Sequence, residues 1–279
     1  MDSKKAQFAS KIKELSLRAL RLVGVFALIY ICMVFYLALT ERQKAFPRAI
    51  THKEANEAIQ GKAKRLSCAL EDGVILGGWS IGDEKAPVLL YYPDAEEDAP
   101  QFLAEIEEIP GIQLVAFNYR GSGENKGTPS EDNFESDGKQ IFECAVQVNG
   151  VEPPYVMGRG TGAILAAQQA SNKKYAQTVQ LIFSDPIFSI ADAVSQKYRK
   201  LYPKFLVRTK VSVSQDILDN VKNKPIVIQD RKQFEHRTLN SIRIIENKTL
   251  VNRNGESLKD ILRKSLNLSA SKADSIKTN

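Results

Sequence analysis

The sequence predicts an α/β domain, built on a mostly parallel sheet with helices on both faces and preceded by one transmembrane helix. Three observations carry this expectation. An uncharged run of 18 residues, Leu22–Leu39, lies near the N-terminus. From Arg65 onward, short strands are apolar throughout rather than alternating, as strands buried on both faces must be. Stretches with helical periodicity separate those strands, the pattern of a layered α/β domain.

The bulk composition fits this picture. A chain of 279 residues holds one large domain, and 43% hydrophobic with 26% charged residues is a globular rather than a disordered balance. The net charge of +6 raises the question of nucleic acid. Much of the excess, however, is Lys4, Lys5, Lys11, Lys13, Arg18 and Arg21, then Arg42, Lys44 and Arg48, on either side of the apolar run. Attraction to a membrane surface explains that placement, and no zinc-finger spacing or aromatic–basic stripe argues for nucleic acid. The cysteines Cys32, Cys68 and Cys144 form no CxxC pair, which excludes a cysteine-rich metal site. Cys68 and Cys144 are expected as buried free thiols, with a pair in an oxidising compartment as the alternative.

Leu22–Leu39 is long enough, at about 1.5 Å per residue, to come close to crossing a hydrocarbon core of about 30 Å. The region after Tyr36–Leu37 offers no small-residue cleavage site, so a retained signal anchor is expected. Basic residues are denser before the run than after it, which places the N-terminus in the cytoplasm and the domain outside it, in a periplasm or lumen. Through residues 1–21 and into the run, Phe8, Ile12, Leu15, Leu20 and Val23 recur at helical spacing, with basic residues between them. This is either an amphipathic lead-in lying on headgroups or a plain extension of the helix. Residues 40–64 form a linker, in which Thr51–Glu54 reads as a capping box for a helix from about His52 to Gln60, stopped by Gly61.

The domain proper spans 65–265, with a polar tail at 266–279. Leu66–Leu70 and Val74–Ser80 read as an opening hairpin across Glu71–Gly73. Val88–Tyr92, Ile112–Phe117, Pro154–Met157, Val179–Ser184 and Ile226–Ile228 are further strands, and Ile242–Ile245 is expected as the last. Gln101–Glu108, Phe134–Asn149 and Gly162–Ala170 are helices.

Four stretches resemble one family. Asn118–Tyr119–Arg120–Gly121–Ser122–Gly123 with Gly127–Thr128–Pro129–Ser130 is similar to the D-Y-R-G-x-G…G-x-P-S segment of α/β hydrolases of the serine-aminopeptidase-like and acylglycerol-lipase-like kind, some of them membrane-anchored. Asp72–Gly73–Val74 with Gly78–Trp79 resembles the opening hairpin of that family. Ser184–Ile190 resembles its E-S-P-F-T-S turn, and Lys224–Ile228 the strand that carries its catalytic acid. The resemblance implies an α/β-hydrolase fold over about Arg65 to Lys264.

It also implies where a catalytic triad should stand. The family places a serine at the centre of a G-x-S-x-G turn between strand and helix, where the sharp turn exposes the hydroxyl. Here the turn reads Gly158–Arg159–Gly160–Thr161–Gly162, and Gly160 at its centre has no nucleophile. The acid position falls on Gln233 or Phe234, with Asp230 and Glu235 nearby. The only histidines are His52 and His236, and Asn247 or Asn254 occupies the region of the expected base. The strand-end H-G segment reads Tyr91–Tyr92–Pro93–Asp94, and proline has no N–H to give an oxyanion.

The expectation is therefore a pseudoenzyme with no catalytic residues and no cofactor, whose vestigial elbow is Gly158–Gly162. Its partners would be the membrane through Leu22–Leu39, proteins of a membrane complex and a small apolar ligand, but not nucleic acid. Two rival readings use the same residues. One is an unorthodox hydrolase with Thr161, His236 and Asp185 or Asp230. The other takes Gly158–Ala163 as a G-x-G-x-x-A dinucleotide turn, with Asp185 on the ribose and Arg159 beside the anion. Arg120 and Asn118 are expected to tie loops to strand ends, and Trp79 with Tyr91–Tyr92 to pack in the core or line a pocket. Asn247–Thr249 and Asn267–Ser269 are glycosylation sequons.

Overall fold

The computed structural model describes residues 2–46, 48–150, 153–172, 179–198, 201–202, 204–229 and 242–266. Helix α1 (Asp2–Ala45) runs unbroken for 44 residues, about 66 Å at the usual rise. The lead-in and the apolar run thus belong to one continuous helix. Between Lys11 and Glu41 this helix is long and apolar enough to cross a membrane, and little of it is covered by the domain.

The linker helix α2 (Lys53–Ile59) is capped differently from the expected box. His52, not Thr51, is the N-cap, and its Nδ1 accepts the Ala55 N–H at 3.2 Å. Gly61 turns the chain away at φ +77°, as expected of a stop.

Eight strands follow in one sheet: β1 (Lys64–Ala69), β2 (Ile75–Ile81), β3 (Val88–Tyr92), β4 (Gln113–Phe117), β5 (Tyr155–Arg159), β6 (Gln180–Ser184), β7 (Ile226–Gln229) and β8 (Thr249–Asn252). Their spatial order is β1-β2-β4-β3-β5-β6-β7-β8. β2 pairs antiparallel with β1 and β4, and every pair from β4 to β8 is parallel. The expected last strand at Ile242–Ile245 is wrong: residues 242–244 make a helical turn that buries Ile242 and Ile245, and the strand forms at Thr249–Asn252. A four-residue apolar run cannot be assigned by periodicity alone, and here tertiary packing decided.

Strand β3 shows why the central strands have no polar face. Val88, Leu90 and Tyr92 enter one hydrophobic core, while Leu89 and Tyr91 enter the other. The first core packs under α4 (Glu131–Asn149) and α5 (Gly162–Ala170), the second under α3 (Ala99–Ile106) and the C-terminal helix α8 (258–266). Two further helices, α6 (Ile190–Tyr198) and α7 (Gln215–Asp219), lie on the first side. Helix α4 starts where the Ser130 N–H meets Asn133 Oδ1 at 2.7 Å and ends at Gly150 in the left-handed region.

The expectation of free thiols is overturned. Cys68 and Cys144 form a disulfide that joins β1 to α4 across 76 residues of sequence, with Cα atoms 5.7 Å apart. Spacing alone could not show that the edge strand and the middle of α4 meet. Cys32 is free and exposed on α1.

Candidate functional site

In open α/β sheets, ligands meet the C-terminal ends of strands where the strand order reverses. Here the reversal falls between β3 and β5, neighbours in the sheet with crossovers leaving in opposite directions. The loops after these two strands contain Asp94 and Gly160.

β5 ends at Arg159 and α5 starts at Gly162, so strand gives way to helix over two residues. Gly160 makes the turn at φ +51°, a conformation costly for most side chains. Its N–H donates to the Ser184 carbonyl at 3.1 Å, and its own carbonyl accepts the Ile187 N–H at 2.9 Å. The flanking glycines are needed for close packing. A Cβ on Gly158 would come within 2.6 Å of the Ala163 Cα, and one on Gly162 would land on the Tyr92 and Pro93 carbonyl oxygens. Strand, turn and helix thus have the form of a nucleophile elbow, centred on a glycine.

Asp94 fills the space above that glycine. Its Oδ1 accepts the Thr161 N–H at 2.8 Å and the Thr161 hydroxyl at 3.0 Å. A Cβ built on Gly160 would overlap the Asp94 carboxyl carbon. In a working elbow the amide after the nucleophile is one donor of the oxyanion hole. The corresponding amide here, that of Thr161, is bound to a carboxylate of the same chain.

The Asp94 loop is itself held. The Asp94 N–H donates to Glu97 Oε2 at 3.1 Å, and Glu97 also accepts the Tyr91 hydroxyl. Arg159 pairs with Glu97 at 2.6 Å and with Glu105 at 2.8 Å, and Arg253 reaches Glu105 at 3.6 Å. Burial pushes the Glu97 carboxyl up against the opposing pull of Arg159. Desolvation works against the Arg159 charge, but Tyr91, Glu97 and Glu105 outweigh it and hold the guanidinium protonated. Arg159 therefore braces the loop from outside rather than facing an anion at the start of α5.

The linker lies over the same end of the sheet. The Arg48 N–H donates to the Ala95 carbonyl at 3.0 Å, and the Gly123 N–H to the Ala49 carbonyl at 2.7 Å. Ala49 N–H donates to Ser122 Oγ at 3.1 Å, and His52 N–H to Asp98 Oδ2 at 2.8 Å. Asp98 is buried and also accepts from Asn56 and Asn118. The linker and the loops after β3 and β4 are therefore one connected layer.

The other residues singled out by sequence sort as follows. Thr161 is buried, with its hydroxyl spent on Asp94. His52 caps α2, and Asp185 follows β6 at φ +45° with its N–H on the Ile228 carbonyl. Gln233, Phe234, Asp230, Glu235 and His236 lie outside the described residues. Asn254 sits in the turn after β8, whereas Asn247 precedes that strand, is exposed and leads into its sequon. The second sequon, from Asn267, lies outside the described residues, as does the tail from 267.

Arg120 is structural: it makes a two-pronged pair with Asp137 at 2.6 and 2.7 Å and reaches Asp72 at 2.6 Å. Asn118 Oδ1 accepts the Ala99 N–H at 2.8 Å. Tyr91 stacks on Phe102, Tyr92 donates to the Gly138 carbonyl, and Arg65 covers the Trp79 ring; all three aromatic side chains are buried. Sequence reasoning missed the role of Asp94. Its one signal was an acid directly after the Tyr91–Tyr92–Pro93 strand end, facing an elbow that lacks a side chain.

No family model matches the chain. A 189-residue stretch is 26% identical to an uncharacterized protein of Mycobacterium tuberculosis, covering 65% of this chain and 66% of that one. A 98-residue stretch is 30% identical to the lysophosphatidylserine lipase ABHD12 of Macaca fascicularis, over 34% of this chain and 25% of the lipase. The chain thus spans less than two thirds of the length of these curated relatives. The crystal structure of an alpha-beta hydrolase from Vibrio vulnificus superposes with a TM-score of 0.55 at 16% identity, covering 81% of this chain and 96% of that one. The chain has the α/β-hydrolase fold.

Proposed function

We propose that this protein is a membrane-anchored member of the α/β-hydrolase fold that acts by binding rather than by turnover. The observation that supports this most directly is Asp94, whose carboxylate occupies the nucleophile's space over Gly160 and caps the Thr161 amide. A covalent route needs a nucleophile at that place and an open oxyanion donor beside it. The dinucleotide reading is disfavoured by the same group, since a carboxylate already stands where a phosphate would meet the start of α5. Helix α1 anchors the chain, with its basic N-terminal part in the cytoplasm. The Cys68–Cys144 disulfide favours an oxidising compartment for the domain, in agreement with the charge bias across the span. The role is that of a scaffold or subunit of a membrane complex, with an acyl-like ligand as the alternative cargo.

The test is a fluorophosphonate serine-hydrolase probe with an ester-hydrolysis assay on the full chain, beside a Gly160→Ser variant. Absence of labelling and turnover in the native protein is the expected result. Labelling of the native protein, lost on changing Thr161, would overturn the proposal and restore the unorthodox hydrolase.

A further inference from the structure

The domain does not begin where the apolar run ends. Met33, Val34 and Ala38 of α1 pack against the domain core, and Leu37 is buried in it, while Phe35, Tyr36 and Leu39 on the other side remain exposed. From Met33 to Leu39 is about 9 Å along a helix axis. One face of the domain therefore covers the last turns of the apolar run, at a depth where lipid would otherwise stand. The covering element is α6.

A buried charge fixes this arrangement. Glu41, only 3% exposed, accepts the Arg208 N–H at 2.8 Å and the Thr209 N–H at 3.0 Å through Oε1, which also takes the Thr209 hydroxyl at 3.1 Å. Its Oε2 accepts the Tyr202 hydroxyl at 2.8 Å. Leu201, just before the clamped Tyr202, and Phe205, between Tyr202 and Arg208, are exposed, Phe205 at 84%. Lys204, Arg208 and Lys210 are exposed around them, Lys204 in an ion pair with Asp192. Apolar tips ringed by basic side chains, held at the level of a membrane boundary, match the chemistry of an interfacial contact.

We propose that Leu201 and Phe205 insert into the bilayer leaflet next to the domain, with Lys204, Arg208 and Lys210 on anionic headgroups, so that the domain rests on the membrane instead of hanging from it. This rests on the reading of α1 as a membrane span, and the experiment separates the two. The occupant is lipid rather than a protein because Glu41, just past the end of the apolar run, fixes the patch beside it and the patch carries the charge that anionic headgroups attract.

The full chain is placed in nanodiscs of phosphatidylcholine and phosphatidylglycerol whose acyl chains are brominated near the headgroup end. The native chain has a single tryptophan, Trp79, in the domain core, which serves as the unquenched background. Phe205→Trp adds a reporter at an exposed position, and Phe26→Trp adds one within the span. The Phe205→Trp emission above background is expected to fall by roughly half in brominated discs, and less when Arg208→Glu and Lys210→Glu are added. Quenching at Phe26→Trp without quenching at Phe205→Trp would overturn the docking and leave the anchor standing. Quenching at neither would overturn both. Quenching at Phe205→Trp that the two glutamates do not change would overturn the headgroup contact.

Discussion

Asp94 Oδ1 lies 2.8 Å from the Thr161 amide nitrogen and 3.0 Å from its hydroxyl, so a single carboxylate oxygen both caps the start of α5 and occupies the centre of the elbow. Asp94 and Gly160 are complementary: the loop after β3 can carry this acid only while the turn after β5 carries no side chain.

That complementarity predicts coupling. Gly160→Ser alone must push Asp94 aside and is expected to cost about 1–3 kcal/mol. Asp94→Gly alone loses the helix cap, about 1 kcal/mol. In the double variant the serine enters vacated space, so its cost should fall at least 0.5 kcal/mol short of the sum, by urea denaturation. Additive costs would mean that the two residues do not compete for space.

The disulfide predicts a covalent dependence. Only Cys32 should react with a thiol reagent in the oxidised, denatured chain, and all three cysteines after reduction. Closing a loop of 76 residues should stabilise the domain by about 2–4 kcal/mol, which Cys68→Ala with Cys144→Ala would remove in thermal unfolding. Two reactive thiols beyond Cys32 in the oxidised chain would contradict the pairing.

The Arg120 cluster gives a pH dependence. The Arg120 guanidinium beside Asp72 holds that carboxyl below the usual carboxylate range. A carboxyl depressed on folding adds stability that is complete above its unfolded value and disappears as pH falls through its folded value. Asp72 is well exposed, so the effect should be small. The difference in urea midpoint between the native chain and Asp72→Asn should thus be largest near neutral pH and close in acid. A difference independent of pH would assign the effect to packing.

The sequence made the layers legible and left the contacts hidden, for a physical reason. The central strands are apolar on both faces and the helices between them are periodic, so strand and helix positions follow from local pattern. The elbow was legible because Gly158, Gly160 and Gly162 recur at alternate positions within five residues where a strand pattern gives way to a helix. What presses on Gly160 and Gly162, the Asp94 side chain and the Tyr92 and Pro93 carbonyls, lies at the end of β3 and in the loop after it. The Cys68–Cys144 bond, the Asp94 cap and the Glu41 clamp join residues far apart in sequence, and no local pattern encodes such pairings. The misread run at Ile242–Ile245 is the converse case. Its apolar residues were real, but they serve a helical turn in the core.

The Glu41 clamp predicts how firmly anchor and domain are joined. Glu41→Ala leaves the Arg208 amide and the buried Thr209 amide and hydroxyl without their carboxylate, while the Tyr202 hydroxyl keeps the Leu206 carbonyl at 3.0 Å. Stranding buried donors of this kind costs about 3 kcal/mol. The loss should be local, since the Leu89–Tyr91 amides are held by the β3 ladders with β4 and β5 and not by the clamp. Amide hydrogen exchange on the full chain in nanodiscs should therefore accelerate about 100-fold at Arg208 and Thr209 and leave Leu89–Tyr91 unchanged. The Phe205→Trp reporter should lose its quenching in the same variant, because α1 would no longer hold that segment at the bilayer. Unchanged exchange at Arg208 and Thr209 would mean that the apolar contacts of Leu37, Ala45 and Phe46 alone seat the domain on its anchor.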